Sequence, residues 1–135
     1  MTIVLADTDS NFLHRLKRRL ERIASVKIVG ESSDSEEATA MILNRKPDIA
    51  ILNSSLHDGR AIEVLRQVKR LMVLPTIIIV TDNPSPDNKT SCFLAGADFF
   101  FDKATEEHLT VNAVRFLSAP QNRIEPLASA VATLE

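Results

Sequence analysis

Hydrophobic residues along this chain fall into two alternating kinds of segment: short, mostly apolar runs, and longer segments in which apolar residues follow helical spacing. Apolar runs of about four to eight residues indicate buried strands, whereas apolar residues three and four positions apart indicate helices with one buried face. The predicted strands cover residues 3–6, 26–30, 49–52, 76–80 and 98–101, and a predicted helix follows each one. This strict alternation predicts an α/β fold with a doubly wound, five-stranded parallel sheet flanked by five helices.

Capping residues and helix breakers define the predicted helix ends. Polar residues that can cap a helix precede three of the helices: Asp9 or Ser10, Asp34 or Ser35, and Thr105. Pro47 ends the second helix, and Gly96 ends the fourth. The strand at 76–80 is too uniformly apolar to have a solvent-exposed face, and three consecutive phenylalanines at 99–101 predict a last strand that is buried on both faces.

The predicted elements occupy residues 1–118, and residues 119–135 form a C-terminal tail. Apolar residues in the tail again follow helical spacing, at Ile124, Leu127, Ala128, Val131 and Leu134. We expect either a short helix that docks on the domain or on a neighbouring subunit, or a frayed end. The tail is too short for a further folded domain, so we expect no fused DNA-binding module.

Composition narrows the classes of protein that remain. An apolar fraction of 44%, a charged fraction of 25% and a formal net charge of −2 favour a globular domain that binds neither nucleic acid nor a membrane. The single cysteine excludes an internal disulfide and fits the reducing cytoplasm, and the chain begins directly with a strand instead of a signal peptide. The first helix carries a basic stripe (Arg15, Lys17, Arg18, Arg19, Arg22), which is either a solvated face or a contact for an acidic partner.

Polar residues follow the predicted strands at the ends where ligands bind in open parallel sheets. Asp7 and Thr8 follow the first strand, Asn53 the third, Thr81 the fourth and Lys103 the fifth. Because the carboxyl ends of parallel strands lie at one edge of a sheet, we expect these side chains to converge. No other motif typical of catalysis or metal binding is present.

These residues and their spacing resemble the receiver domain of bacterial two-component response regulators. The resemblance covers about residues 2–118, and its most specific stretch is 95–103, AGADFFFDK, which is similar to the AGADxFFDK run of certain stand-alone receivers. It implies the flavodoxin-like receiver topology. It places Asn53 at the aspartate that accepts a phosphoryl group from a histidine kinase, Lys103 at the family lysine, and Thr81 and Phe100 at the switch positions.

The chain departs from the family pattern at several positions, which are Thr8, Asn53, His57 and Ala104. An amide cannot be the nucleophile that forms an acyl phosphate, because its nitrogen lone pair is delocalised. Receivers hold magnesium with adjacent acidic residues, and this chain keeps Asp7 but has the neutral Thr8 beside it. We therefore expect weak or absent Mg²⁺ binding, with Asp7 and the Ser55 backbone as the ligands if any, and no other cofactor.

The loss of carboxylates also predicts the state of the pocket. We expect Asp9 to cap the first helix and Asp82 to be a solvated loop residue, so that Lys103 faces one anion where the family has three. Lys103 should then lie close to Asp7 and Asn53 without a metal ion.

These expectations together describe a pseudo-receiver, a non-catalytic domain that acts in signal transduction by protein contact. Two alternatives remain: an ordinary phosphorylatable receiver that carries an engineered Asn53, and a small flavodoxin-like protein that binds FMN or another ligand at the same edge. With no phosphoryl group to attract Thr81, the switch should stay in one conformation.

The resemblance also indicates a contact surface. The fourth helix, fifth strand and last helix, residues 86–118, form the usual output and dimer face of the family. We expect a protein partner or a weak homodimer there, with Phe100 as an exposed apolar anchor and a contribution from the tail.

Overall fold

A single parallel sheet of five strands organises the protein, in a computed structural model that describes residues 1–71 and 75–119. Its strands are β1 (Thr2–Ala6), β2 (Lys27–Ser32), β3 (Ile49–Leu52), β6 (Thr76–Thr81) and β7 (Phe99–Asp102), while β4 (Ser55–Leu56) and β5 (Gly59–Arg60) form a separate hairpin. The order of the strands in the sheet is β2-β1-β3-β6-β7. The helices are α1 (Ser10–Glu21), α2 (Ser35–Arg45), α3 (Ala61–Leu71), α4 (Pro86–Ala95) and α5 (Glu107–Ser118). The predicted doubly wound α/β fold is confirmed.

Two apolar cores cover the two faces of the sheet. Alternate residues of β1, β3 and β6 point to opposite faces, as the two-residue period of a strand requires. One core packs α1 and α5 against the sheet, and the other packs α2, α3 and part of α4. Ile77, Ile78 and Ile79 have no exposed surface, so β6 after its first residue is buried on both faces, as its composition predicts.

The last strand differs from its prediction. Within the described part of the chain, β7 pairs only with β6 and is therefore an edge strand. Its three phenylalanines are half-buried instead of buried on both faces. Phe99 and Phe101 pack on the α1 and α5 side, whereas Phe100 packs on the side of α2 and α3. The expectation of full burial is wrong because one side of an edge strand has no neighbouring strand.

One helix start agrees with the sequence prediction, and another differs from it. Asp9 caps α1, and its carboxylate accepts the backbone N–H groups of Asn11 and Phe12 at 3.0 and 3.1 Å. Glu106, not Thr105, is the N-cap of α5, and its carboxylate accepts the backbone N–H of Asp102 at 2.8 Å instead of capping the helix. Glu106 thereby closes the turn that carries Lys103.

The loop after β3 contains an unpredicted hairpin of two short strands, β4 (Ser55–Leu56) and β5 (Gly59–Arg60). Asp34 is the N-cap of α2 but makes no side-chain cap bond. Asp58, in the hairpin turn, accepts the N–H groups of Ser35 and Glu36 at 2.5 and 3.2 Å instead. These backbone bonds, chiefly the one from Ser35, lower the pKa of Asp58. The loop after Asn53 is thus fastened to the start of α2.

The third helix ends at Leu71 in the described part of the chain, and the predicted helical residue Met72 lies outside it. The tail residues 120–135 lie outside it as well, so the predictions about the tail stay predictions. No helix within residues 1–71 and 75–119 has the length and apolar character needed to cross a membrane.

Candidate functional site

The parallel register brings the predicted site residues to one edge of the sheet. Ala6 is paired with Leu52, and Leu52 with Ile79, so these strands end at nearly the same level. The backbone N–H of Asn53 donates to Ala6 at 2.9 Å, and that of Lys103 donates to Thr81 at 2.9 Å. Backbone hydrogen bonds alone therefore place Asn53 beside the end of β1 and Lys103 beside the end of β6.

Asp7 and Lys103 form a buried ion pair at the centre of the edge. The ammonium nitrogen of Lys103 lies 3.0 and 3.1 Å from the two carboxylate oxygens of Asp7, and both side chains are almost fully buried. Asp7 also accepts the backbone N–H of Asp9 at 2.9 Å. The Lys103 ammonium lies 4.3 Å from the centre of the Phe12 ring, which favours a cation. The structure therefore joins Asp7 and Lys103, as the sequence predicts.

Lys103 faces more than one carboxylate, contrary to the sequence prediction. Its ammonium nitrogen lies 3.9 Å from Asp9 and 3.7 Å from Asp82, in addition to Asp7. Asp9 keeps its helix-capping role: the hydrogen bond from the Phe12 backbone, followed by the charge of Lys103, lowers its pKa. Asp82 is 71% exposed, as expected for a loop residue, yet its carboxylate reaches the pocket. Asp9 and Asp82 thus bring two further carboxylates close to Lys103, although Thr8 and Asn53 are neutral.

The Asn53 side chain links two of these carboxylates. Its amide nitrogen donates to Asp7 at 3.2 Å and to Asp82 at 3.0 Å. Its amide oxygen accepts the backbone N–H of Ser55 at 3.2 Å. The orientation of the amide follows from these partners, because only the NH₂ end can donate to carboxylates and only the oxygen can accept an N–H. Asn53 lies beside Asp7, and its amide contacts the same carboxylate as Lys103 does.

This set of donor atoms does not fit a magnesium ion. Mg²⁺ needs free oxygen ligands. Both Asp7 oxygens already bind Lys103, the Asn53 oxygen binds a backbone N–H, and the nitrogen end of the amide points at the carboxylates. Within the described ranges, no group of three or more His, Cys, Asp or Glu side chains is arranged to hold a metal ion. The expected weakness of Mg²⁺ binding stays a prediction.

Thr8 and His57 lie apart from this contact network. Both are exposed, and they line a polar cleft of about 560 Å³ beside Asp7. His14 and Glu37 also line this cleft. Of the predicted degenerate acidic pocket, Asp7 and Lys103 are therefore in contact, while Thr8 lies at its margin.

Thr81, the predicted switch position, is fully buried, and its hydroxyl oxygen lies 2.5 Å from that of Ser54. The sequence prediction did not single out Ser54. The sequence feature that points to Ser54 is its position directly after Asn53, because successive side chains of an extended segment point in opposite directions. With Asn53 facing Asp7, the next side chain faces the neighbouring strand β6.

The predicted contact face carries exposed apolar residues, but Phe100 is not the most exposed of them. Phe100 is half-buried, and its ring centre lies 6.3 Å from that of Phe93. Leu94 on α4 is 84% exposed and Phe116 on α5 is 58% exposed. The expectation of Phe100 as the exposed anchor is thus wrong, because the side chain packs inward from the edge strand.

The fold and the site together define a class of protein: a doubly wound α/β domain with a carboxylate and lysine pocket at the carboxyl edge of its sheet. The sequence profile of the response regulator receiver domain matches residues 3–115. The chain belongs to this family. Receiver domains are generally signalling modules of two-component systems and not enzymes.

Individual relatives are distant and are mostly longer than this chain. It is 25% identical over 126 residues to the sensory transduction protein LytT of Bacillus anthracis, a match that covers 93% of this chain and 50% of LytT. It is 32% identical over 104 residues to the phosphate regulon transcriptional regulatory protein PhoB of Pseudomonas aeruginosa, covering 76% of this chain and 44% of PhoB. The chain spans about half the length of these curated relatives.

Solved structures of receivers are similar along most of the chain. The signal receiver domain of NarL from Mycobacterium tuberculosis matches with a TM-score of 0.80 and 23% identity, covering 88% of this chain and 96% of that one. A CheY-like response regulator receiver domain protein from Methanospirillum hungatei matches with a TM-score of 0.76 and 25% identity, covering 89% of this chain and 94% of that one. These similarities confirm the receiver fold.

Proposed function

We propose that this protein is a pseudo-receiver, which takes part in signal transduction by binding another protein and is not phosphorylated at residue 53. The observation that carries the proposal is the orientation of Asn53, whose NH₂ group donates to both Asp7 and Asp82. The residue at the acceptor position is therefore a hydrogen-bond donor engaged with its neighbours. It offers no oxygen nucleophile to an incoming phosphoryl group.

The charge around Asn53 supports the same proposal. Phosphoryl transfer needs cationic groups that collect the negative charge of the transferred group. Lys103 is the cation of this pocket, and it is already shared among Asp7, Asp9 and Asp82. An arriving phosphoryl group would meet three carboxylates and one occupied ammonium. The side chains of the pocket bond to one another without a ligand.

The proposal is tested by phosphorylation of the purified chain. Wild-type protein incubated with acetyl phosphate and Mg²⁺ should show no gain of a phosphoryl group in intact-protein mass spectrometry. Addition of beryllium fluoride with Mg²⁺ should leave the amide NMR signals around Asn53 unchanged. The variant Asn53→Asp is the matched control, since it restores the acceptor at the same position. A saturable, acid-stable phosphoryl adduct at the site in the wild-type chain would exclude the pseudo-receiver.

The same treatment separates the alternatives. If Asn53→Asp takes up a phosphoryl group and sequencing of the chromosomal gene finds an aspartate codon, the chain is an ordinary receiver seen as a variant. A flavin absorbance spectrum in protein purified from its native host would favour the flavodoxin-like alternative.

We further propose that the partner, or a second copy of this chain, binds through residues 86–118. Support comes from the exposed apolar side chains Leu94 on α4 and Phe116 on α5. The same two helices also carry the exposed polar residues Lys89, Ser91 and Arg115. An apolar centre with a polar rim is the usual composition of a protein contact surface. The contribution of the tail remains part of this proposal.

Substitution of the exposed residues tests the contact face. Leu94→Ser and Phe116→Ser should weaken the concentration-dependent rise of the sedimentation coefficient in the wild-type chain. Leu71→Ser is the matched control, because Leu71 is also exposed, by 69%, but lies on α3 outside the face. An equal effect of Leu71→Ser, or none in either face variant, would argue against this surface.

A further inference from the structure

A pair of buried hydroxyl groups connects the acceptor loop to the neighbouring strand. The oxygen atoms of Ser54 and Thr81 are 2.5 Å apart, and both side chains are buried, Thr81 completely. Ser54 directly follows Asn53 after β3, and Thr81 is the last residue of β6. Because both hydroxyl groups are buried, water does not compete for this hydrogen bond.

The other partners of Thr81 decide how its single proton is used. Its oxygen accepts the backbone N–H of Asn83 at 2.9 Å and the side-chain amide of Asn88 at 3.4 Å. A hydroxyl has two lone pairs and one proton, so these bonds leave the proton to be donated. The Ser54 oxygen lies at 2.5 Å and the Asn83 carbonyl oxygen at 3.3 Å, so Ser54 is the better acceptor.

This hydroxyl is also the start of a network that reaches α4. Asn88, in the first turns of α4, donates from its side-chain amide to the carbonyl oxygen of Asn83 at 2.7 Å. Ser85 caps the helix by accepting the N–H of Asn88 at 3.2 Å. The loop between β6 and α4 is therefore held between Thr81 on one side and Asn88 on the other.

We infer that Ser54 and Thr81 form an internal latch that fixes the loop at 82–85 and the first turns of α4 to the end of β3. The latch is supplied by the chain itself and needs no ligand at Asn53. It goes beyond the proposed function, since it concerns the conformation of the unphosphorylated chain, whether or not residue 53 can accept a phosphoryl group. Because α4 belongs to the proposed contact face, the latch keeps one arrangement of that face populated.

Loss of an ordinary buried hydrogen bond and loss of a latch should change hydrogen exchange in different ways. Loss of a bond that only stabilises the core lowers the free energy of global unfolding and affects all slow-exchanging amides alike. Loss of a latch increases local opening of one segment while the rest of the fold keeps its protection. Hydrogen exchange distinguishes the two because it reports opening residue by residue.

The test compares native-state amide hydrogen exchange in wild-type protein, Ser54→Ala and Ser55→Ala. Ser55 is the matched control, since it is the next serine, is exposed, and has a backbone N–H, not a hydroxyl, bonded to Asn53. In Ser54→Ala, amides at 82–92 should exchange about tenfold faster, which corresponds to about 1.4 kcal/mol of local opening. In the same variant, exchange of the β1 and β3 amides should accelerate only by the amount that the measured loss of global unfolding free energy predicts. All amides of Ser55→Ala should exchange at wild-type rates.

Substitutions of the partner complete the test. Ser54→Thr keeps a hydroxyl and should restore slow exchange at 82–92. Thr81→Val removes the other hydroxyl at nearly constant shape, and with it the bonds from Asn83 and Asn88. It should therefore give a localised increase at least as large, and it replaces Ser54→Ala if that variant does not fold. Combining Ser54→Ala with Thr81→Val should add nothing to Thr81→Val alone. Uniform acceleration across the fold, additive effects, or unchanged exchange at 82–92 would each overturn the latch.

Discussion

Replacement of Lys103 by methionine tests the buried ion pair at the centre of the site. Met preserves most of the length and apolar body of the side chain but removes the ammonium, which lies over the Phe12 ring. The change leaves the buried carboxylate of Asp7 without the cation that contacts both of its oxygens. We therefore expect Lys103→Met to destabilise the fold.

The size of the effect follows from the partners that remain. Removing one member of a buried ion pair costs about 3–5 kcal/mol, because the other charge stays buried without compensation. Asp7 keeps two donors, the backbone N–H of Asp9 at 2.9 Å and the amide of Asn53 at 3.2 Å. These bonds place the expected loss of unfolding free energy near the lower limit, about 3 kcal/mol. Neutralising the partner as well, in Asp7→Asn with Lys103→Met, should cost about 2 kcal/mol less than the sum of the single changes.

Urea unfolding followed by far-UV circular dichroism is the suitable assay, because the chain has no Trp or Tyr to report by fluorescence. Lys17→Met is the matched control: Lys17 pairs with Glu31 at 3.3 Å, but both side chains are exposed. Loss of such a surface pair should cost no more than about 1 kcal/mol. If Lys103→Met costs no more than Lys17→Met, or if the double variant shows strict additivity, the pair does not stabilise the pocket as argued.

Three further substitutions test other parts of the structure by the same unfolding assay. Hydrogen bonds from Arg15 first, and then from Arg19, lower the pKa of Glu107. The stability that these arginines give by holding the ionised Glu107 is therefore present above its ordinary pKa of 4.5 and is lost as pH falls through the lowered value. Glu107→Gln should therefore flatten the acid loss of stability and cost less than about 1 kcal/mol at neutral pH, and an unchanged acid limb would contradict this. Gly96→Ala should cost about 1–3 kcal/mol, because φ is +118° and the new Cβ would lie 2.9 Å from the Lys69 side chain; no loss would refute the strain. Thr110→Val should stabilise by about 1 kcal/mol, since its buried hydroxyl has no hydrogen-bond partner among residues 1–71 and 75–119, and a loss of stability would reveal one.

The sequence predicted the fold well where burial alone determines an element. The strand at 49–52 matches β3 at both ends, because a run of apolar residues between Asp48 and Asn53 has one way to be buried. The hairpin of β4 and β5 was missed, since strands of two residues leave no periodic signal. The cap of α5 was misplaced because two polar residues precede the helix, and the choice depends on which side chain the turn at Asp102 engages.

The site was predictable to the level of the backbone but not to the level of side-chain orientation. Asp7, Asn53 and Lys103 converge because parallel strands end at one edge, and strand order follows from the alternating pattern. The inward reach of Asp82 is a rotamer choice of an exposed loop residue, set by the Asn53 amide and the Lys103 charge. Such a choice needs the three-dimensional neighbours, which no local pattern contains.

The contacts of the pocket explain why an amide suits the acceptor position in this particular chain. Three carboxylates, those of Asp7, Asp9 and Asp82, surround one ammonium group, so the cluster carries three negative charges and one positive charge. A fourth carboxylate at residue 53 would put an oxygen where the amide nitrogen now lies, about 3 Å from two other carboxylate oxygens. Like charges at that separation repel strongly without a cation between them. The NH₂ group of Asn53 instead donates to both, so one neutral side chain provides the link for which carboxylates would need a metal ion.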